Sequence, residues 1–300
     1  MIKFVNAKIN LGLQIVRRRK DGYHDLQTLF YPIGVYAGTP SNPVDFCDVL
    51  EVVPCQGKSN ISAPGCGDCG GIQFDFVSES PYPKELNLVY EAAKMFYDRF
   101  PSALSSVICL DKHLPDGAGI GGGSADASFT LRMLNELNHG IADDADLAAM
   151  ALSLGADCPF FLVNKPVYAE GVGERLEKVD LDLTGYWLVL FRPYVRISTK
   201  EAFATVSPRK STFDLRGLPL FSIDTWRFLA HNDFEDSIFP QYPVLADIKK
   251  YIYSSGAIYA SLTGSGSCLY GIYGSMDCAR CAADQIGSLT TIQSSYLLQL

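Results

Sequence analysis

The sequence lacks the features that mark membrane proteins, nucleic-acid binders and secreted proteins. It has no run of about 18 apolar residues, so we expect no membrane-spanning helix. It has no excess of positive charge, because 25 Lys and Arg stand against 33 Asp and Glu. The resulting net charge of −8 argues against general nucleic-acid binding, which needs clustered cations for the phosphates. The first residues show no apolar signal core, so we predict a cytoplasmic protein.

Cysteine is abundant, with nine residues. Without a secretory signal we expect reduced thiols rather than a disulfide framework. Two Cys-x-x-Cys pairs, Cys66/Cys69 and Cys278/Cys281, could form a four-thiolate zinc site if they met in space. The first pair lies in a Gly-rich loop and the second in a predicted helix, an arrangement that favours inert thiols. We therefore predict no metal site built from protein side chains.

The most informative stretch is the Gly-rich segment 115–126, in which five of twelve residues are glycine. An alanine-rich apolar run follows at once, so the segment is a loop that leads into a helix. Glycines bring backbone N–H groups close to an anion, and a helix start adds unpaired N–H groups. The segment lacks the Gly-Lys-Ser/Thr ending of a P-loop, and a plain tight turn is the alternative. Three consecutive glycines before Ser124 favour phosphate binding.

Periodicity predicts an α+β protein. Alternating and short apolar runs predict strands at 2–16, 26–35, 49–53, 72–77, 106–110, 160–163, 167–170, 187–191 and 268–273. Helical spacing predicts helices at 87–100, 125–138, 144–154, 200–206, 242–255 and 277–286. The helical block ends near Pro166, so we predict two domains, 1–165 and 166–300.

Three further motifs accompany the Gly-rich segment. Asn6-Ala-Lys-Ile-Asn-Leu lies in the first strand, where alternation puts Lys8 and Asn10 on one face. Gly155-Ala-Asp-Cys-Pro159 ends a helix and presents the carboxylate of Asp157. A second glycine turn, Leu262-Thr-Gly-Ser-Gly-Ser267, lies near the end of the chain. A cation, a carboxylate and two glycine turns together indicate phosphoryl transfer.

In their order along the chain, these motifs resemble the GHMP kinase superfamily of small-molecule kinases. Asp21-Gly-Tyr-His24 and Gly155-Ala-Asp-Cys-Pro159 narrow the resemblance to the branch that acts on cytidine diphosphate methylerythritol. The resemblance implies an N-terminal domain like domain 2 of ribosomal protein S5, which binds ATP, and a ferredoxin-like C-terminal domain. It also implies ATP-dependent phosphorylation of the substrate 2-hydroxyl in isoprenoid biosynthesis, with ATP and Mg²⁺ as cofactors and a monomer or homodimer as the assembly.

The resemblance assigns roles to individual residues. Lys8 and Asp157 are the expected catalytic pair, with Asp157 as the base for the attacking hydroxyl. The expected substrate-binding residues are Asn10, Tyr23, His24, Thr199 and Phe203. The expected ATP-binding residues are Asn87, Lys112, Pro115, Gly117, Gly119, Gly121, Gly122, Gly123, Ser124 and Ala125.

Alternatives stay open for several of these residues. Asp157 could be only a helix-end residue, Lys8 a surface lysine on an edge strand, and Asn87 a helix N-cap. Phe203 could belong to the core, and His24 could be a solvated turn residue. The protein could also be a homoserine or mevalonate type of kinase, or a nucleotide-binding regulator without catalysis. Ala125 departs from the superfamily pattern, which usually has a second serine there.

Overall fold

The computed structural model describes residues 1–34, 46–55, 72–76, 83, 86–211 and 213–300. Its strands are β1 (Ile2–Val5), β2 (Ala7–Arg18), β3 (His24–Ile33), β4 (Asp48–Pro54), β5 (Ile72–Phe76), β6 (Ser106–Asp111), β7 (Val167–Gly171), β8 (Arg175–Lys178), β9 (Trp187–Pro193), β10 (Tyr259–Leu262), β11 (Leu269–Tyr273) and β12 (Ile292–Gln299). Its α-helices are α1 (Leu88–Arg99), α2 (Gly122–Leu137), α3 (Asp144–Leu154), α4 (Cys158–Val163), α5 (Thr199–Thr205), α6 (Trp226–Leu229), α7 (Phe234–Gln241), α8 (Pro243–Ser254) and α9 (Met276–Gly287). Leu215–Leu220 and Ile223–Thr225 form 3₁₀ helices.

The chain divides into two compact units. The first unit contains Met1–Ala7, Val35–Leu114 and Gly121–Asn164. Its sheet has the strand order β1-β4-β6-β5, in which only the β5–β6 pair is parallel. Helix α2 packs on α1, α4 and β4. The apolar residues of α1 recur every three or four positions and bury one face of this helix, as an amphipathic helix requires.

The second unit contains Lys8–Gly34, Pro115–Ile120 and Lys165–Leu300. It has one sheet of order β2-β3-β7-β8 and another of order β10-β11-β9-β12. Helix α8 packs on β10 and β11 through Leu245, Ile248 and Ile252, which recur at helical spacing and are fully buried. Burial of each such side chain contributes about 1.5–3 kcal/mol. This apolar layer stabilises the sheet from which the second glycine turn emerges.

Most predicted elements are confirmed within the described residues, and the α+β class with them. The strand predicted at 160–163 is wrong, because these residues belong to helix α4. Pro159 lies in the first turn of α4, where its fixed φ favours a helix start. Helix α2 begins at Gly122, three residues before the predicted start. Three strands, β8, β10 and β12, and two helices, α6 and α7, were not predicted.

The division at 165/166 stays a prediction about domains. The compact units separate after Asn164, but they assign 8–34 and 115–120 to the second unit. The two units therefore share the Gly-rich segment, which changes unit after Ile120. In the part of the chain that the structure describes, no helix combines the length and hydropathy needed to cross a bilayer.

Candidate active site

The second half of the Gly-rich segment begins helix α2 in the first unit. Gly121 is the N-cap residue, with φ of 75°, a left-handed conformation that glycine adopts without strain. It has no side chain that could accept hydrogen bonds from the first turn of the helix. The backbone N–H groups of that turn are therefore available to an anion, and the helix dipole adds positive potential there. Ala125 is fully buried and has no hydroxyl. Ser124 therefore supplies the hydroxyl at this helix start.

The first half of the segment belongs to the second unit and is shaped by close backbone packing. At Gly119, where φ is 73°, an added Cβ would lie 2.2 Å from the carbonyl oxygen of Thr263. Only glycine fits this contact between the two glycine turns. Gly117 has φ of 64° and nothing within 4 Å of an added Cβ, so open space surrounds it. Pro115 is buried, and the carbonyl oxygen of Asp116 accepts a hydrogen bond from Arg192.

Lys8 is buried in the second unit, with 2% of its surface exposed. This burial excludes the interpretation of Lys8 as a surface lysine. Its Nζ donates to Oδ1 of Asn10 at 2.8 Å and to the carbonyl oxygen of Gly119 at 3.1 Å. The ring of Phe30 lies beneath the ammonium at 5.0 Å, a cation–π distance. The predicted pairing of Lys8 and Asn10 on one strand face is confirmed.

The backbone around Asp157, in the first unit, links two helices to the loop serine. Helix α3 ends at Leu154, and Asp157 precedes α4, where its side chain accepts no capping hydrogen bond. A Cβ on Gly155 would lie 3.7 Å from Oγ of Ser124. Ser128 is buried on α2, and its hydroxyl donates to the carbonyl oxygens of Ser124 and Cys158, each at 2.8 Å. Ser128 therefore fixes the Asp157 segment beside the loop serine.

Burial raises the pKa of the Cys158 thiol to about 11, although hydrogen bonds with Ser124 and Ser128 oppose the shift. The thiol is therefore protonated at neutral pH and packs as a small apolar group.

Lys112 lies between two buried carboxylates in the first unit. Its Nζ contacts Oδ2 of Asp48 at 2.5 Å and Oδ2 of Asp126 at 2.8 Å. Asp48 also accepts hydrogen bonds from the backbone N–H groups of His113 and Leu114. Burial lowers the pKa of Lys112, but the charges of Asp126 and Asp48 outweigh it and raise this pKa above its usual value. The ammonium also lies 3.6 Å from where a Cβ on Gly122 would be, at the start of α2.

Asp126 is the less satisfied of these two carboxylates. Burial raises the pKa of Asp126 well above its usual value, although Lys112 opposes the shift. Among the described residues, Oδ1 of Asp126 is a buried side-chain atom without a hydrogen-bond partner. Asp48, by contrast, accepts hydrogen bonds from three donors.

The aromatic residues predicted to bind the substrate lie in the second unit. The ring of His24 stacks on Phe203, with centroids 5.1 Å apart and planes 24° apart. Phe203 also meets Phe234 edge to face, so it is partly a core residue, as the alternative interpretation expected. Tyr23 is 65% exposed. Burial lowers the pKa of His24, and the charge of Arg18 lowers it further, so this imidazole is neutral at physiological pH.

Thr199 and Asn87 each begin a helix. Thr199 is the first residue of α5, and its hydroxyl lies 3.2 Å from that of Ser265 in the second glycine turn. Asn87 is the N-cap of α1, where its Oδ1 accepts from the N–H of Val89 at 2.8 Å. The N-cap interpretation of Asn87 is confirmed, while its role in ATP binding stays a prediction.

The predicted site residues thus fall into two groups, one in each compact unit. The second unit brings Lys8, Asn10 and Gly119 together and, separately, His24 and Phe203. The first unit holds Asp157, Ser124 and Lys112. Sequence reasoning missed the residues that support these groups, which are Asp48, Asp126, Ser128, Asn232 and Thr263. Asp126, within the Gly-rich segment, and Thr263, within the second glycine turn, lay in motifs that could have drawn attention to them.

One of the two cysteine pairs lies in the described part of the chain. Cys278 and Cys281 are exposed thiols on α9, and Cys66 and Cys69 lie outside the described residues. The described residues offer one cluster with metal-ligand spacing, His231, Asp233 and Asp236. Arg209 pairs with both of its carboxylates, so the cluster already has its counter-ion.

The residues at the start of α2 fit a phosphate group and the Mg²⁺ that accompanies it. The glycines leave backbone N–H groups uncovered by side chains, and Ser124 adds one hard oxygen ligand. Mg²⁺ in kinase sites retains several waters and is bound chiefly by phosphates, so a single hydroxyl suits it.

Known proteins resemble this chain at the level of sequence and of structure. Residues 87–165 match the model of the GHMP kinases N terminal domain, and 221–284 match that of the GHMP kinases C terminal domain. The 4-diphosphocytidyl-2-C-methyl-D-erythritol kinase of Bacteroides fragilis is 44% identical over 275 residues, 91% of this chain and 92% of that protein. A crystal structure of 4-(cytidine 5'-diphospho)-2C-methyl-D-erythritol kinase is 30% identical, with a TM-score of 0.79 over 99% of this chain and 98% of the other. The homoserine kinase of Cytophaga hutchinsonii, 15% identical with a TM-score of 0.70 over 100% of this chain and 94% of the other, shares the fold.

Proposed function

This chain belongs to the GHMP kinases, in the family of 4-diphosphocytidyl-2-C-methyl-D-erythritol kinases, and on that premise we propose that it phosphorylates the 2-hydroxyl of 4-diphosphocytidyl-2-C-methyl-D-erythritol with ATP. The observation that carries this proposal is the identity of 44% along almost the whole chain. The reaction belongs to the biosynthesis of isoprenoid precursors. Kinases with this fold act on different acceptors, and we propose this one for the present chain.

The phosphate donor is ATP, as in other GHMP kinases. We assign its phosphates to the Gly-rich segment, with the N–H groups of the first turn of α2 as donors. Mg²⁺, when bound, would neutralise charge on the transferring phosphate, and Ser124 is its candidate protein ligand. We assign the base region of ATP to Asn87 and Lys112. Support comes from the first unit, where the Lys112 ammonium lies near Gly122 and Leu88 lies 3.6 Å from where a Cβ on Gly123 would be.

The transfer itself needs a base and a cation. Asp157 takes the proton from the attacking hydroxyl, the hydroxyl oxygen forms a bond to the γ-phosphorus, and the bond from that phosphorus to the bridging oxygen of ADP breaks. Lys8 stabilises the negative charge that spreads over the transferring group. Two observations support these roles. The Lys8 ammonium is held by two acceptors, and the Asp157 carboxylate is not used as a helix cap.

The acceptor is selected by its cytosine ring. We assign the ring to Tyr23, His24 and Phe203, with Asn10 and Thr199 contacting the rest of the substrate. The stacked pair of His24 and Phe203 supports this assignment, as does the exposed ring of Tyr23. Base–aromatic stacking contributes about 1–3 kcal/mol per ring. A neutral His24 can both donate and accept a hydrogen bond at the base edge.

The experiment measures ADP release by the purified protein with ATP, Mg²⁺ and one acceptor at a time. We expect ADP with 4-diphosphocytidyl-2-C-methyl-D-erythritol and none above background with mevalonate or homoserine. ADP release with mevalonate or homoserine alone would replace the proposal with that activity. ATP binding without ADP release from any acceptor would indicate a regulator.

A matched pair of substitutions tests the base. Asp157→Asn should lower turnover by about 10²–10⁴-fold while ATP still binds, because an amide cannot accept the proton. Asp143→Asn is the control. It makes the same change at the N-cap of α3, where Asn caps as well as Asp, so turnover should stay within about twofold. Equal turnover in both variants would remove Asp157 as the base.

A further inference from the structure

The catalytic ammonium of Lys8 depends on the second glycine turn, 262–267. Its first acceptor, Oδ1 of Asn10, also accepts from the N–H of Gly264 at 2.9 Å. Its second acceptor, the carbonyl oxygen of Gly119, also accepts from the hydroxyl of Thr263 at 3.1 Å. The turn therefore contacts both of these acceptors. A shift of the turn moves both acceptors together.

One buried side chain fixes the position of this turn. Asn232 has 0% of its surface exposed, and its Nδ2 donates to the carbonyl oxygens of Leu262 and Gly264, each at 2.9 Å. Its Oδ1 accepts from the N–H of Phe234 at 3.0 Å, which sets the orientation of the amide. Both hydrogens of the amide are thus used to join the two sides of the turn.

The backbone of Asn232 is held independently of its side chain. The segment pairs with strand β2, since the N–H of Leu13 donates to the carbonyl oxygen of His231 and the N–H of Asp233 donates to that of Leu13. The start of the turn also has an anchor other than Asn232, because the carboxylate of Glu235 accepts a hydrogen bond from the N–H of Leu262 at 2.8 Å. Loss of the Asn232 amide contacts therefore leaves the strand pairing in place and loosens the turn.

We propose that Asn232 is a positioning residue for phosphoryl transfer, which acts through the 262–267 turn to place the ammonium of Lys8. This inference rests on the proposed function, because it assigns Asn232 to the reaction in which Lys8 stabilises charge. Asn232 lies 222 residues after Asn10 in the sequence, and none of the glycine motifs contains it. Asn232 lies just before α7 and contacts the turn, and that turn contacts Asn10 on β2, the strand that carries Lys8.

The test replaces Asn232 with Asp, which has the same shape but no N–H donors and sets a carboxylate against two carbonyl oxygens. We expect kcat to fall about 10²-fold, the size of the loss that follows a misplacement of about 1 Å at a catalytic group. Any rise in the KM for ATP or for the acceptor should be smaller than the fall in kcat, because Asn232 reaches Asn10 and Gly119 only through the turn. A loss confined to KM, or kcat within about threefold of wild type, would overturn the inference.

Asn135→Asp is the matched control. Asn135 lies on α2, where its side chain exchanges two hydrogen bonds with the backbone of Ala142 and contacts no proposed site residue. The control should lower the unfolding midpoint and leave kcat within about twofold of wild type. If Asn135→Asp lowers kcat as much as Asn232→Asp does, lost stability explains both and the inference is wrong.

Amide hydrogen exchange gives a readout that needs no substrate. Peptides that cover 262–268 should exchange at least about tenfold faster in Asn232→Asp than in wild type, and no faster in Asn135→Asp. Faster exchange with unchanged kcat would overturn the positioning role. A wild-type protein that phosphorylates no acceptor would refute the proposed function alone, and unchanged exchange at 262–268 would refute the Asn232 link by itself.

If Asn232→Asp fails to fold, Thr263 provides the second test. Thr263→Val keeps the shape of the side chain and removes the hydroxyl that donates to Gly119, while Thr263→Ser keeps the hydroxyl. We expect kcat to fall further in Thr263→Val than in Thr263→Ser, by about tenfold. Equal kcat values in the two variants would overturn the role of the turn.

Discussion

Replacement of Lys112 by Met should destabilise the first unit far more than loss of an ordinary lysine would. The side chain of Lys112 is 20% exposed, while those of its partners Asp48 and Asp126 are 0% and 2% exposed. Met fills similar volume without the charge, so both carboxylates lose their counter-ion inside the fold. Breaking a buried pair in this way costs about 3–5 kcal/mol. A protein's whole stability is about 5–15 kcal/mol, so this loss is large.

The loss of Lys112 affects Asp126 more than Asp48. Asp48 retains two backbone donors, but Asp126 loses the donor to Oδ2, and its Oδ1 has no hydrogen-bond partner among the described residues. Protonation of Asp126 relieves the buried charge, and relative to an unfolded chain, in which the pKa of an Asp is near 3.9, it costs about 4 kcal/mol at pH 7. The same protonation costs about 1.5 kcal/mol at pH 5. The deficit of Lys112→Met should therefore fall to less than half of its pH 7 value at pH 5.

The sign of this pH dependence follows from the direction of the shift. Burial raises the folded pKa of Asp126 above its unfolded value. Its contribution to stability is therefore greatest below the unfolded pKa, near 4, and is lost as pH rises towards the folded pKa. In the wild type, the charge of Lys112 lowers the pKa of Asp126 and so reduces this loss of stability at high pH. Without Lys112, stability falls more steeply as pH rises.

Hydrogen exchange by mass spectrometry measures the effect locally, which suits a chain with two compact units. Peptides from β4, β6 and α2 should exchange about 10²–10⁴-fold faster in Lys112→Met, the equivalent of 3–5 kcal/mol. Asp126→Asn in that background should recover more than half of the loss. Lys250→Met, which removes a 76% exposed lysine paired with Asp247, should change exchange by less than about threefold. Exchange in Lys112→Met as slow as in Lys250→Met would refute the reasoning.

Three further outcomes are expected. Lys8→Met should lower kcat by about 10²–10³-fold with little change in the KM for ATP, as steady-state kinetics would measure, because a preorganised positive charge is lost. Phe203→Ala should raise the KM for the cytidyl acceptor by about 5–100-fold with kcat nearly unchanged, because it removes one stacking surface; an unchanged KM would contradict the base site. Because burial lowers the pKa of His24, that KM should be constant from pH 8 to about 6.5 and rise only at lower pH, whereas His24→Gln should show no such rise.

Local sequence patterns predicted the chemical groups of the site. The glycine run, the period-two spacing of Lys8 and Asn10, and the helix break at Gly155 are each encoded within a dozen residues, so sequence reasoning could find them. The predicted two-domain GHMP kinase fold is confirmed by the similarity to known family members. Residue roles stay predictions, because similarity of the whole chain does not test a single side chain.

The supporting residues could not be predicted, because their partners are far away in the sequence. Asp48 meets Lys112 across 64 residues, and Asn232 meets Gly264 across 32. Neither contact leaves a periodic signal. Helix α4 was missed for a different reason, since six mostly apolar residues suit a strand or a helix equally well. The proline in its first turn decided between them.

Phosphorus NMR of the reaction products tests the central claim most directly. The purified protein is incubated with ATP, Mg²⁺ and an equimolar mixture of 4-diphosphocytidyl-2-C-methyl-D-erythritol, mevalonate and homoserine. We expect one new phosphomonoester signal, on the methylerythritol group of the cytidyl compound, formed together with ADP. A phosphomonoester on mevalonate or homoserine, with the cytidyl compound unchanged, would contradict it.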